Sequence, residues 1–198
     1  MTTNRPLPSS AERAPGRDKK NKTAGNGARA CPAVSFIGKS NVGKTTLIEK
    51  LIPIFNSAGL KVGTIKHSFH GFEFDREGKD SWRHRRAGAA QTVISTPGTL
   101  ALVRSTPGDT PVENILGFFE GFDLVITDGF KTDKFPKIEV FRPSHYAVPM
   151  LGEGDSIIAY ATDAPEFAFP VSVPVLDIND PAMVAGFVAK YFKLKIDF

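Results

Sequence analysis

Apolar and polar positions fall into clear blocks from Ala33 onward. AVSFI (33–37) is a short apolar run, partly β-branched, of the kind that forms a strand covered on both faces. After a glycine-rich turn, Leu47, Ile48, Leu51, Ile52, Phe55 and Ala58 recur at three- and four-residue steps, which predicts an amphipathic helix stopping near Gly59. Pro53 falls inside that helix. It removes the hydrogen bond to the carbonyl of Glu49 at a cost of about 3 kcal/mol, so a bend or an early end is expected there.

The pattern then predicts a strand in KVGTIKH (61–67), a short basic helix in GKDSWRHRRAGA (78–89), and two strands, QTVIS (91–95) and TLALVRS (99–105), around the Pro97-Gly98 turn. TPVENILGFFE (110–120) reads as a helix with Thr110 as N-cap and Glu113 three positions on, as in a capping box. DLVITD (123–128), KIEVFR (137–142), SIIAYATD (156–163) and VPVLDI (173–178) supply further strands, and PAMVAGFVAKYFK (181–193) a closing helix. Strands alternating with helices predict the α/β class, with a mainly parallel sheet flanked by helices and no internal repeats.

Composition alters this picture at one end only. Residues 1–31 hold seven Lys and Arg against two acids, whereas the remaining chain holds 18 against 19, so the formal charge of +4 belongs to the N-terminal segment. That segment has almost no branched or aromatic side chains and cannot bury enough surface to offset chain entropy; a disordered basic tail over 1–31 and one domain over 32–198 are expected. A nucleic-acid-binding fold would carry its positive stripe on the folded body, so nucleic acid is not the expected partner. No run approaches the roughly 18 apolar residues of a membrane span, and the single Cys31 fits a reducing compartment; a soluble, cytoplasmic protein is expected.

The chemistry is concentrated in Gly38-Lys39-Ser40-Asn41-Val42-Gly43-Lys44-Thr45, a full G-x-x-x-x-G-K-[ST] between a predicted strand and an amphipathic helix. That context is what the motif requires: glycines permit a concave backbone whose N–H groups face a phosphate, and the helix N-terminus adds favourable partial charge. Lys44 is expected to reach the β- and γ-phosphates, and Thr45, followed by Thr46, to offer its hydroxyl to Mg²⁺. Asp128, closing the buried strand DLVIT, is the candidate second metal-linked oxygen and catalytic acid. A phosphate-loop NTPase fold binding a nucleoside triphosphate and Mg²⁺ follows. His67 and His70 make a weak metal pair without nearby acids, and His67 is better read as a phosphate or water contact.

Translation-type and Ras-like GTPases fail as a match. Their Asp-x-x-Gly is replaced here by Ser95-Thr96-Pro97-Gly98, and the only Asn-Lys, at Asn21-Lys22, precedes the phosphate loop. The later landmarks are Lys66-His67, Phe74-Asp75-Arg76, Gly78-Lys79-Asp80-Ser81, Arg86-Ala87-Gly88-Ala89, Asp128-Gly129-Phe130-Lys131 and Pro136-Lys137-Ile138-Glu139-Val140. In this order the chain resembles the molybdopterin-guanine dinucleotide biosynthesis protein B (MobB) family over about residues 33–180. The resemblance implies a GTP-binding, at most slowly GTP-hydrolysing, homodimeric accessory protein. Such a protein acts beside the guanylyltransferase that joins GMP to molybdopterin, and the resemblance leaves open whether its partner is that enzyme, the apo-enzyme that receives the cofactor, or both. It also implies that Lys66, His67, Lys79, Asp80, Ser81 and Lys131 contact phosphate or pterin. One departure is that the family's Glu-Gly-Phe-Lys is Asp128-Gly129-Phe130-Lys131 here, which shortens the acid by a methylene and favours a water-mediated metal contact. The N-terminal arm lies outside the family pattern.

For the base, Asp163 stands at the carboxyl edge of a predicted strand, where open α/β sheets bind ligands, and its carboxylate can accept guanine N1–H and the exocyclic amine. The alternative class of function is a phosphate-loop small-molecule kinase, with the basic helix near 79–86 as a lid.

Overall fold

The computed structural model describes residues 31–68 and 75–196. Residues 1–30 of the expected tail, His70 of the weak metal pair and the landmark Phe74 therefore lie outside the described residues. Among the described residues eight strands and four α-helices follow in chain order, with one short 3-10 turn (Gly117–Phe119) after the third helix: β1 (Ala33–Ile37), α1 (Lys44–Ser57), β2 (Val62–Lys66), α2 (Asp80–Arg86), β3 (Gln91–Thr96), β4 (Thr99–Arg104), α3 (Val112–Leu116), β5 (Leu124–Asp128), β6 (Lys137–Phe141), β7 (Ile157–Thr162), β8 (Val175–Asp177) and α4 (Pro181–Phe192).

Six strands form one parallel sheet in the order β2-β5-β1-β6-β7-β8, which places β1 between β5 and β6. Every residue of β1 is buried, as its mostly apolar run predicts. Its even positions, Val34 and Phe36, join Leu47, Leu51 and Phe55 of α1 and Val184 and Val188 of α4 in the larger core. On the opposite face, Ala33 packs with Ile65, Val112, Val125 and Phe130. The buried hydroxyls of Ser35 and Thr127 satisfy each other across β1 and β5 at 2.8 Å.

The first helix stops near Gly59 as its periodicity predicts, and of the two outcomes expected at Pro53 the early end does not occur, since the helix runs on to Ser57; Pro53 lies on the exposed side, so the carbonyl it leaves without a partner can be hydrated, while Leu51 and Phe55 anchor the turns around it. One expectation is corrected. Thr110 does not cap α3. The N-cap is Pro111, which has no side-chain acceptor, and it accepts from the Asn114 amide at 3.0 Å; Glu113 thus stands one position too early for a capping box.

The strands around Pro97-Gly98 form an antiparallel hairpin, β3–β4, that belongs to a separate two-stranded sheet. One face, with Thr92, Ile94, Ala101 and Val103, is half-buried, and α2 packs against β3. The other face leaves Val93, Leu100 and Leu102 exposed. Alternation along an antiparallel pair produces this split, since successive side chains point to opposite faces.

Candidate functional site

The site lies at the carboxyl ends of the parallel strands, the edge at which open α/β sheets take ligands. β1 delivers the chain from Ile37 into Gly38. A Cβ on Gly38 would lie 2.4 Å from the Val140 carbonyl oxygen, and its φ of 152° is one that residues with side chains rarely adopt. The loop then passes through Asn41 at φ 65° and Gly43 at φ 99°, a left-handed N-cap that turns straight into α1. No side chain caps α1, so its first amides are open to an anion.

Lys44 folds back over this loop. Its ammonium donates to the Gly38 carbonyl at 2.9 Å and the Lys39 carbonyl at 2.6 Å, using two of its three N–H groups. Partial burial holds its pKa below the usual lysine value, an effect Asp128 opposes and Lys66 and Lys131 reinforce. A phosphate brought to this cluster of cations relieves that mutual repulsion.

β5 places Asp128 beside the loop, in register with Phe36 on one side and Lys66 on the other. Its carboxylate is largely buried, and Oδ2 accepts from Lys66 Nζ at 2.5 Å. The second oxygen, Oδ1, is buried and has no hydrogen-bond partner among the described residues. An orphaned carboxylate oxygen of this kind suits a hard cation or its water. Thr45 and Asp128 are both among the residues that line a cavity of about 370 Å³ between α1 and β2. Among the described residues no three His, Cys, Asp or Glu gather into a metal site. A cation here would therefore complete its shell with water and phosphate oxygens, as Mg²⁺ habitually does.

A cleft of about 1030 Å³ opens over the loop, lined by Lys39, Lys44, Lys66 and Lys131 and by the acids Asp109, Asp128 and Asp133. Burial and the neighbouring Glu113 raise the pKa of Asp133 above the ordinary carboxylate range. His67 also reaches the cleft. Its Nε2 stands 3.2 and 3.3 Å from the two carboxylate oxygens of Asp109, and its ring lies against Phe130 with centroids 4.5 Å apart.

Of the residues expected at the phosphate, the structure thus gathers Gly38 to Thr45, Lys66, His67, Asp128 and Lys131. It does not gather Lys79, Asp80 and Ser81, which do not line this cleft. Lys79 is the exposed N-cap of α2, Asp80 pairs with Arg83, and Ser81 donates to Asp75 at 2.8 Å. Asp163 follows β7 on the other flank of the loop, where Arg142 holds its Oδ2. Two landmark residues turn out to be internal supports. Glu139, fully buried, accepts from Tyr146 Oη (3.1 Å) and from the Met150 (2.7 Å) and Leu151 (2.9 Å) amides. Lys137 donates to the Asp133 and Asp155 carbonyls. Sequence reading missed Arg142 and Asp109; the one signal available was an arginine directly after a buried strand that ends beside the phosphate loop.

A parallel sheet whose central strand runs through this loop into a helix, with a largely buried acid on the adjoining strand, defines a phosphate-loop protein of the nucleotide-binding class. The chain belongs to the family of molybdopterin guanine dinucleotide synthesis protein B, whose model matches residues 33–163. It is 36% identical over 174 residues to the molybdopterin-guanine dinucleotide biosynthesis adapter protein of Escherichia coli (strain K12), covering 84% of this chain and 97% of that one. The adapter protein of the same name from Haemophilus influenzae is 34% identical over 162 residues, with 81% and 89% covered. Among solved structures, Bacillus subtilis MobB superposes with a TM-score of 0.63 at 28% identity, covering 83% of this chain and 99% of that chain.

Proposed function

We propose that the protein is a GTP-binding adapter in molybdenum cofactor maturation, assisting the conversion of molybdopterin to molybdopterin guanine dinucleotide. The family membership and the adapter names of its relatives support the role. The observation that carries nucleotide binding is the phosphate loop wound around Lys44, whose ammonium donates to the Gly38 and Lys39 carbonyls, beside a buried Asp128 with one carboxylate oxygen unpartnered among the described residues.

In this reading the amides from Gly38 to Thr46 cradle the α- and β-phosphates, and Lys44, Lys66 and Lys131 balance the charge towards the γ-phosphate. Thr45 and Asp128 would hold Mg²⁺, directly or through water, and the ion would supply positive charge against the triphosphate. Lys66 fixes the orientation of the Asp128 carboxylate. His67, steadied by Asp109, contacts phosphate or water. Asp163 reads the guanine. No arginine finger or water-orienting glutamine is found among the described residues at the cleft, so hydrolysis is slow and binding is the main activity.

The partners are the guanylyltransferase of this maturation step and the apo-enzymes that receive the cofactor, in the cytoplasm. Among the described residues no helix is long and apolar enough to cross a membrane. A homodimer uses the exposed face of the β3–β4 hairpin, where Val93, Leu100 and Leu102 stand together on a sheet separate from the main one. Light scattering of Leu100→Glu tests the dimer. The functional test is a pull-down with GTP and Mg²⁺ from extract: co-elution of a guanylyltransferase and a pterin supports the adapter role. Phosphorylation of an added pterin by the isolated protein would instead establish a small-molecule kinase.

A further inference from the structure

One side chain ties the two flanks of the site together. Arg142 leaves the end of β6 and stands between the phosphate loop and the end of β7. Its Nε donates to the Val42 carbonyl at 3.1 Å, and its Nη1 pairs with Asp163 Oδ2. Both contacts come from the same planar guanidinium, so the tilt of the Asp163 carboxylate and the position of the Val42 carbonyl cannot change independently. Val42 itself is fully buried, and the next two residues are Gly43 and Lys44.

Two further features favour a ligand on this flank. A cavity of about 250 Å³ opens beside the loop, lined by Thr46, Lys50, Arg142, His145, Ile178 and Asn179 among others. Arg142 and Asp163 are each about a quarter to a third exposed (26% and 30%), so their pairing is partly desolvated yet reachable. Among the described residues Asp163 Oδ1 has no hydrogen bond, and a carboxylate oxygen can accept more than one, so Oδ2 can serve Arg142 and an incoming N–H together.

We infer that Arg142 is a positioning residue that couples recognition of the base to the shape of the phosphate loop. It holds the Asp163 carboxylate in the one orientation that can accept guanine N1–H and N2–H together. Through Val42 it makes that base contact and the grip on the phosphates mutually reinforcing. The inference deepens the reading of the protein as a GTP binder in which Asp163 meets the base. It adds that specificity depends on a residue that need not touch the base.

The test is titration calorimetry of the full chain with three probes in the presence of Mg²⁺: GTP, ATP and inorganic tripolyphosphate. Arg142→Gln is expected to weaken GTP about tenfold, the range of one charge-assisted contact. ATP and tripolyphosphate should fall less than about threefold, because the loop keeps Lys44 and its glycines. Arg142→Lys, which keeps the charge but not the fork, should lie between wild type and Arg142→Gln, and it replaces the glutamine variant if that does not fold. In an Asp163→Asn background, Arg142→Gln should no longer change the GTP to ATP ratio. Equal losses for all three probes would reduce Arg142 to a scaffold of the loop and overturn the inference, as would no loss at all. If the wild-type chain binds none of the probes, or takes ATP as readily as GTP, the GTP reading itself fails; that outcome is distinct from a GTP-selective wild type whose ratio Arg142 leaves unchanged.

Discussion

Replacing Gly38 by alanine places a methyl carbon 2.4 Å from the Val140 carbonyl oxygen and 3.2 Å from Val42 Cγ2. An ordinary carbon–oxygen contact needs about 1 Å more, and neither backbone can supply it cheaply. Val140 lies in β6, fully buried, and its carbonyl also accepts from Tyr146 Oη at 2.9 Å. The φ of 152° adds strain of its own. Backbone strain of about 1–3 kcal/mol and overpacking of similar size give a destabilisation of about 3 kcal/mol after partial relaxation. For a chain of this length that is a fall in melting temperature of roughly 6–12 °C. Gly43→Ala is the control: its nearest neighbour would be Ile178 Cδ1 at 3.7 Å, so it meets no clash and carries only the cost of a positive φ, about 1 kcal/mol. Thermal and urea unfolding followed by circular dichroism should rank Gly38→Ala well below Gly43→Ala and both below wild type. A Gly38→Ala variant as stable as wild type would refute the reasoning that β6 presses directly on the loop.

Other consequences follow from the same geometry. Lys44 has a lowered pKa when free and a raised one when a triphosphate surrounds it, so binding takes up a proton at alkaline pH: affinity should be flat below the lowered pKa and fall as pH rises through it, a dependence that calorimetry should find flattened in Lys44→Arg, whose cation does not titrate there. Asp128→Asn keeps the shape but loses the charge that Lys66 and a cation share, and should weaken the Mg²⁺-dependent part of GTP binding about tenfold while leaving Mg²⁺-free binding nearly unchanged. Glu139→Leu leaves the Met150 and Leu151 amides without their acceptor, while the Tyr146 hydroxyl keeps the Val140 carbonyl, and should lower stability by about 2–4 kcal/mol in urea unfolding. Burial raises the Glu139 pKa above that of the unfolded chain, so its contribution is fully present below the unfolded value and is lost as pH rises through the folded one; Glu139→Gln should flatten that acid-side slope.

What could be read from the chain without coordinates was whatever is local. The phosphate loop is eight consecutive residues, and the strand before it and the helix after it announce themselves through an apolar run and a three-and-four periodicity. The parallel sheet followed from the alternation of elements, though not its strand order, which depends on pairings such as β1 with β5 and β6. The pairs that shape the site are remote in sequence: Lys66 with Asp128 across 62 positions and Arg142 with Val42 across 100. No periodicity encodes such partners. The failed details were also contextual, since Pro53 is tolerated because its face is exposed, and Thr110 yields the cap to the proline after it. Glu139 and Lys137 were legible as landmarks, but their burial under internal hydrogen bonds, which makes them supports, was not.

The central claim, that the loop around Lys44 grips a guanosine triphosphate with Mg²⁺, is tested most directly by titration calorimetry of wild type and Lys44→Ala with GTP and magnesium. The account predicts saturable heat for the wild type that is reduced at least tenfold in affinity without magnesium and lost in Lys44→Ala. Absence of heat for the wild type, or unchanged affinity once the ammonium is removed, would contradict it.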